Sequence, residues 1–119
     1  MKSVVLFYNS KRNKAIAFTA GIERTLKDRG IRVSKVCVNQ RECVFDREAD
    51  AAITIGGDGT VLYAARHLVK SGIPVLGVNA GGLGFLSAIE RADFKKYLDV
   101  FLNNGFGKAG RQLLSVEVF

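Results

Sequence analysis

Residues 51 to 69, AAITIGGDGTVLYAARHLV, carry a continuous apolar strand pattern into three glycines and one aspartate, then into a helical stripe. A strand that is apolar at every position must be covered on both faces, which is the condition of a parallel sheet flanked by helices. Four other runs read as strands. SVVLFY (3–8) and IPVLGV (73–78) are nearly continuous, IRVSKVCV (31–38) alternates in part, and LLSVEVF (113–119) alternates. Between them, apolar residues recur at helical spacing. Ala15, Phe18, Ile22 and Leu26 form one stripe, ended by Gly30; Val61, Leu62, Ala65, Leu68 and Val69 form a second, ended by Gly72. A third stripe, Phe94, Tyr97, Leu98, Phe101 and Leu102, ends in NNG at 103–105. This order predicts an α/β fold: a doubly wound, mostly parallel sheet with helices on both faces and right-handed crossovers.

The composition excludes several classes. At 119 residues, 48% hydrophobic and 24% charged, the chain suits one ordinary globular domain. No apolar run approaches the roughly 20 residues of a membrane span. The start, MKSVVLFYNSKRNK, has too short an apolar run and no small-residue cleavage site for a signal peptide. Cys37 and Cys43 fit neither a disulfide framework nor a zinc site, and Cys37 reads as a small buried hydrophobe in a reducing compartment. Cytoplasm is the default location. The net charge of +7 favours anionic partners, but the basic residues are scattered and their densest run is KRNK at 11–14. Without an aromatic-interleaved basic stripe, nucleic acid is not an expected partner, nor is a membrane, and the run reads as a solvated face.

Both glycine-rich segments follow strands: GGDGT (56–60) after AAITI, and NAGGLGF (79–85) after IPVLGV. In an open α/β sheet ligands bind at the carboxyl ends of the strands, so the two loops should lie side by side there. Gly56, Gly57 and Gly59 can take positive φ and turn bare amides into a concavity that suits phosphate oxygens. Thr60 or Asp58 could cap the following helix, whose positive dipole end also favours an anion. A tight turn with an Asp cap and no ligand is the competing reading. The string G-x-x-x-x-G-K-[ST] is absent, and G-x-G-x-x-G fails because Leu62 and Ser87 stand at its third glycine. The chain therefore has neither a P-loop nor an ordinary dinucleotide fingerprint.

Asp58 is the chemically suggestive group. Phosphoryl transfer needs a positioned hydroxyl, screening of phosphate charge by a divalent cation, and a group to take the proton. A helix N-terminus favours the carboxylate form, so Asp58 could orient the hydroxyl as readily as abstract its proton. Asn79 could hold a polar ligand edge or merely its own turn, and Phe85 could lie under a purine or belong to the core. His67, the only histidine, reads as a surface or packing residue, and no residue is assigned to a metal.

TIGGDGTVLYAAR followed by PVLGVNAGGLGFL resembles the NAD kinase family. The glycine–aspartate loop alone is shared with diacylglycerol- and sphingosine-type lipid kinases and, more loosely, with phosphofructokinases; GVNAGGLGFL looks like the NAD kinase version of the second segment. The resemblance implies phosphorylation of the 2′-hydroxyl of the adenosine ribose of NAD to give NADP, with ATP or polyphosphate and a divalent cation such as Mg2+. It makes Asp58 the proton acceptor facing the ribose hydroxyl, with Gly59 beside it. Gly56, Gly57 and Thr60 complete the loop, and Asn79 and Phe85 fall on the wall of the NAD pocket, with Gly82 and Gly84 in the same segment. Tyr63 stands where many members carry Arg, Lys or His near phosphate, and its hydroxyl could donate a hydrogen bond instead. The resemblance further implies a homo-oligomer of the full-length protein and a second, mostly β domain missing from this chain. Residues 1–110 are then the α/β nucleotide-binding domain, and 111–119 begin the strand leading out of it. A lipid or sugar kinase sharing the loop, or a nucleotide-binding module without catalysis, are the alternatives.

Overall fold

A computed structural model describes residues 2–9, 11, 13–38, 45–79, 89–90 and 98, with backbone alone at 13, 14, 79, 89 and 90. The elements are β1 (Ser3–Tyr8), α1 (Asn13–Asp28), β2 (Arg32–Cys37), β3 (Ala51–Gly56), α2 (Asp58–Leu68), β4 (Val75–Asn79) and β5 (Ile89–Glu90). They form a five-stranded sheet in the order β2-β1-β3-β4-β5, every neighbouring pair parallel. This is the expected α/β architecture. The two-residue β5 was not foreseen; it is too short to carry a period. The expected helix over 94–102, apart from Leu98, and the strand over 113–119 lie outside the described residues.

The continuous apolar runs are explained by burial on both faces. Val4, Leu6, Ile53, Ile55, Leu76 and Val78 pack on one side with Ala15, Ile22 and Leu26 of α1, and with Leu98. The intervening Val5, Phe7, Ala52 and Val75 pack on the other with Ala64 and Leu68 of α2. From β1 the chain crosses one way to β2, and from β3 the other way to β4. Two crossovers of one hand running in opposite directions must use opposite faces, so α1 and α2 sit on different sides. Among the described residues no helix is long and apolar enough to cross a membrane.

The amino end of the sheet closes on itself. Asp50 accepts hydrogen bonds at one carboxylate oxygen from the backbone N–H of Lys2 (2.6 Å) and Ser3 (3.0 Å). Those two amides hold its carboxyl below the usual aspartate value. At the end of α1, Ile31 N–H donates to Leu26 C=O and Gly30 N–H to Lys27 C=O, both at 3.0 Å. Gly30 has φ +78°, as the expected cap requires, and Ile31 and Leu26 share the first core cluster. Glu23 of α1 meets both Lys27 and Lys35 of β2 at 3.1 Å, which ties the helix to the edge strand. Burial raises the Glu23 carboxyl, but the two lysines outweigh it and the net direction is down.

Candidate functional site

The GGDGT turn starts in β3. Gly56, the last residue of that strand, is the register partner of Asn79, the last residue of β4. The GGDGT turn therefore leaves the sheet beside the end of β4, where the second glycine-rich segment begins; residues 80–85 of that segment lie outside the described residues. Gly56 has φ +153°, and a Cβ there would lie 2.5 Å from Thr60 Oγ1 and 3.2 Å from Thr60 Cβ. Its bareness lets the first turn of α2 fold back against the strand that feeds it.

The next residues differ from the expectation. Of the three glycines only Gly56 has positive φ. Gly57 is extended (φ −104°, ψ −161°) and is itself the N-cap of α2, with no side-chain cap hydrogen bond. Neither Asp58 nor Thr60 caps the helix. Asp58 is the first helical residue and partly exposed, while Thr60 is buried, its amide bonded to Gly57 C=O at 3.2 Å. The expected Asp cap fails because the helix begins one residue earlier than a cap at 58 needs. Gly57, having no side chain, provides no cap hydrogen bond, and the positive end of the α2 dipole stands at the rim.

No described atom lies within 4 Å of a Cβ placed on Gly57 or Gly59. Gly59 is in the helix, where glycine is less favourable than alanine. The described packing thus accounts for Gly56 but not for the bareness of 57 and 59.

The other candidates divide by position. Asn79 is at the rim by register, and on its far side it pairs with Glu90 of β5. Phe85, Gly82 and Gly84 lie outside the described residues, as does Cys43. Tyr63 is on α2, its ring edge-on to Phe7 at 6.2 Å and tilted against His67 at 4.6 Å. Phe7 in turn meets Phe45 at 5.8 Å, and Arg47 stacks over Phe45 at 5.1 Å. Tyr63 is thus held in an aromatic row on the second face of the sheet. Among the described residues no three of His, Cys, Asp and Glu gather closely enough to hold a metal ion.

The strand order adds a rim segment that the sequence analysis assigned to a solvated face. β1 is the neighbour of β3 on the side away from β4, and Tyr8 registers with Ile55. The turn after β1, with Asn9 and Lys11, therefore stands across from the GGDGT turn. The chain reverses direction between β1 and β3, which is the switch point where open α/β sheets form their ligand crevice.

The model of the ATP-NAD kinase N-terminal domain matches residues 37–106, a span that includes the GGDGT turn, Asn79 and Phe85. The chain is 30% identical over 128 residues to an NAD kinase of Lachnoclostridium phytofermentans, covering 100% of this chain and 44% of that protein. It is 35% identical over 122 residues to an NAD kinase of Aquifex aeolicus, with 100% and 43% covered. An NAD kinase of Azoarcus is 41% identical over 70 residues, 59% of this chain and 24% of its own length. The chain thus spans less than half the length of these relatives. A family domain matching more than half the chain and spanning both glycine segments, with relatives at least 30% identical over the whole chain, leads to one conclusion: the chain belongs to the NAD kinase family.

Proposed function

We propose that this chain supplies the Asp58 side of an NAD kinase site, at which the 2′-hydroxyl of the adenosine ribose of NAD receives a phosphoryl group. The observation that supports this reading is the register pair Gly56–Asn79, which sets the GGDGT turn beside the strand end from which the second glycine segment starts. The glycines let the ribose approach the backbone at 57 and 59. In the transfer, the 2′-oxygen attacks the terminal phosphorus of the donor, and Asp58 orients the hydroxyl and takes its proton. The bond from that phosphorus to the bridging oxygen breaks, releasing ADP or a shortened polyphosphate. Asn79 and Phe85 form the pocket wall with Gly82 and Gly84, and Thr60 braces the loop from beneath. Tyr63 is assigned to packing.

Asp58 offers a single carboxylate, and Mg2+ is commonly held by one or two carboxylates together with substrate phosphates. The cation in this reading therefore arrives with the donor and screens its charge. The protein acts in the cytoplasm on free nucleotides, as a homo-oligomer when full length, with no nucleic-acid or membrane partner. Remaining NAD contacts come from the second, mostly β domain. The family supports NAD as acceptor over a lipid or sugar.

Calorimetric titration of the chain with NAD tests the reading. Saturable binding that weakens about tenfold or more in Asp58→Asn is expected, from loss of one charged hydrogen bond. In a transfer assay with ATP or polyphosphate the same variant should lose about 100-fold or more in rate. NAD binding indifferent to Asp58→Asn would overturn the assignment.

A further inference from the structure

We infer that Lys11, in the turn after β1, contacts the phosphate chain of the phosphoryl donor from across the crevice. The inference rests on the proposed kinase reading. A donor oligophosphate carries several negative charges and must approach the carboxylate of Asp58, so the site needs positive charge aimed at it. The GGDGT turn provides amides and a helix N-terminus but no cation, and the basic residues in the last turn of α2, Arg66 and His67, are at the far end of that helix. The charge must come from a neighbouring element.

β1 is that neighbour. One residue beyond the Tyr8–Ile55 pair stand Asn9 and Gly56, on strands that lie about 4.8 Å apart in a sheet. Lys11 N–H donates to Asn9 Oδ1 at 2.9 Å, which folds the chain back at the rim, and the Lys11 residue is exposed. Among the described residues Lys11 makes no ion pair. α1 then starts at Asn13 with no acidic residue in its first turn. Lys11 thus stands just before the positive end of a helix dipole. For the fold alone this placement is unfavourable, because cations belong at helix C-termini and acids at N-termini. An anion held between the two turns, facing the N-termini of both α1 and α2, removes the conflict. The chemistry on offer is that of a linear oligophosphate, whether the tail of ATP or inorganic polyphosphate.

The test is calorimetric titration of the chain and of Lys11→Met with sodium tripolyphosphate, ATP and NAD, each with Mg2+, and with Lys27→Met as the control at the opposite end of α1. Lys11→Met keeps the aliphatic stem and removes the charge. It should weaken tripolyphosphate and ATP alike by about tenfold, the scale of one charged hydrogen bond. NAD affinity should stay within about twofold, Lys27→Met should match the unaltered chain, and Lys11→Arg should restore most of the loss. If tripolyphosphate binds both Lys11→Met and the unaltered chain equally while NAD still binds, the inference falls and the kinase reading stands. A loss confined to ATP would also overturn it, since the contact would then be to the nucleoside. If the unaltered chain binds none of the three, the kinase reading falls and the inference with it.

Discussion

The amino and carboxyl ends of this sheet treat their exposed backbone groups in opposite ways. At the amino end Asp50 takes the two N–H groups of Lys2 and Ser3, and the C-terminal carbonyls of α1 are bonded back through Gly30 and Ile31. At the carboxyl end α2 starts on a glycine without a side-chain cap, and α1 starts without an acidic residue in its first turn. At one end a carboxylate and two backbone amides satisfy the chain itself. At the other, the N-terminal ends of α1 and α2 face the rim. Parallel sheets repeat this polarity widely, because every helix that follows a strand presents its N-terminus at the strand's carboxyl end.

The contrast can be broken by substitution, and the largest effect is expected at Gly56. Gly56→Ala would place a Cβ against buried Thr60 in a backbone conformation that L-residues rarely adopt. A loss of about 3 kcal/mol in urea unfolding and loss of NAD binding are expected. Adding Thr60→Ala should recover part of the stability, since the contact with Oγ1 goes but the strain in φ remains. Full tolerance of Gly56→Ala would mean that the turn can reshape and that its geometry is not what excludes side chains.

Gly30→Ala serves as the amino-end counterpart. With φ +78° it should cost about 1 kcal/mol in melting while leaving NAD affinity untouched. If binding fell as well, the two ends would be coupled and the division drawn above would fail.

Gly59→Ala separates folding from function more sharply, because the two readouts should move in opposite directions. The added methyl meets no described atom and favours helix, so stability should rise by about 0.5 kcal/mol. NAD binding should nevertheless weaken, since the methyl stands where the proposed reading brings the ribose to the backbone. Unchanged binding would remove the argument that Gly59 is bare for a ligand's sake.

The smallest effect concerns Asp50. Its folded carboxyl lies below the ordinary value of 3.8 because the Lys2 and Ser3 amides favour the charged form. The contribution is therefore complete above the unfolded value and fades as pH falls through and below it. The group is exposed, so less than about 1 kcal/mol is at stake. Asp50→Asn should lower stability slightly at pH 7 and flatten the acid limb of a melting profile below about pH 4. A profile identical to that of the unaltered chain would show that the pair of hydrogen bonds is not maintained in solution.

Much of the fold was legible before the structure, for local reasons. The strands at 3–8, 32–37, 51–56 and 75–79 coincide with apolar runs whose continuity reflects cover on both faces. Gly30 and Gly72 end helical patterns and both have positive φ. The prospective cap at Asp58 or Thr60 was misjudged, because deciding between an N-cap and a first helical residue takes a register of one residue, which periodicity does not supply. Tyr63 could be matched to a position near phosphate by resemblance, but its packing against Phe7 depends on β1 lying beneath α2. KRNK reads as a solvated run and Lys11 is indeed exposed; that it follows the strand lying beside β3 is visible only in the strand order.

The division between sequence and structure follows from range. The alternation of strands and helices, the glycine–aspartate turn and the membership in the NAD kinase family are written in short stretches, each set by side-chain period, by the freedom of glycine or by an unbroken motif. Only the tertiary structure decided that β3 lies between β1 and β4, so that Gly56 meets Asn79 on one side and the Lys11 turn faces it on the other. Strand order is settled by burying two apolar faces at once with crossovers of a single hand, and that balance is struck between residues far apart in the chain.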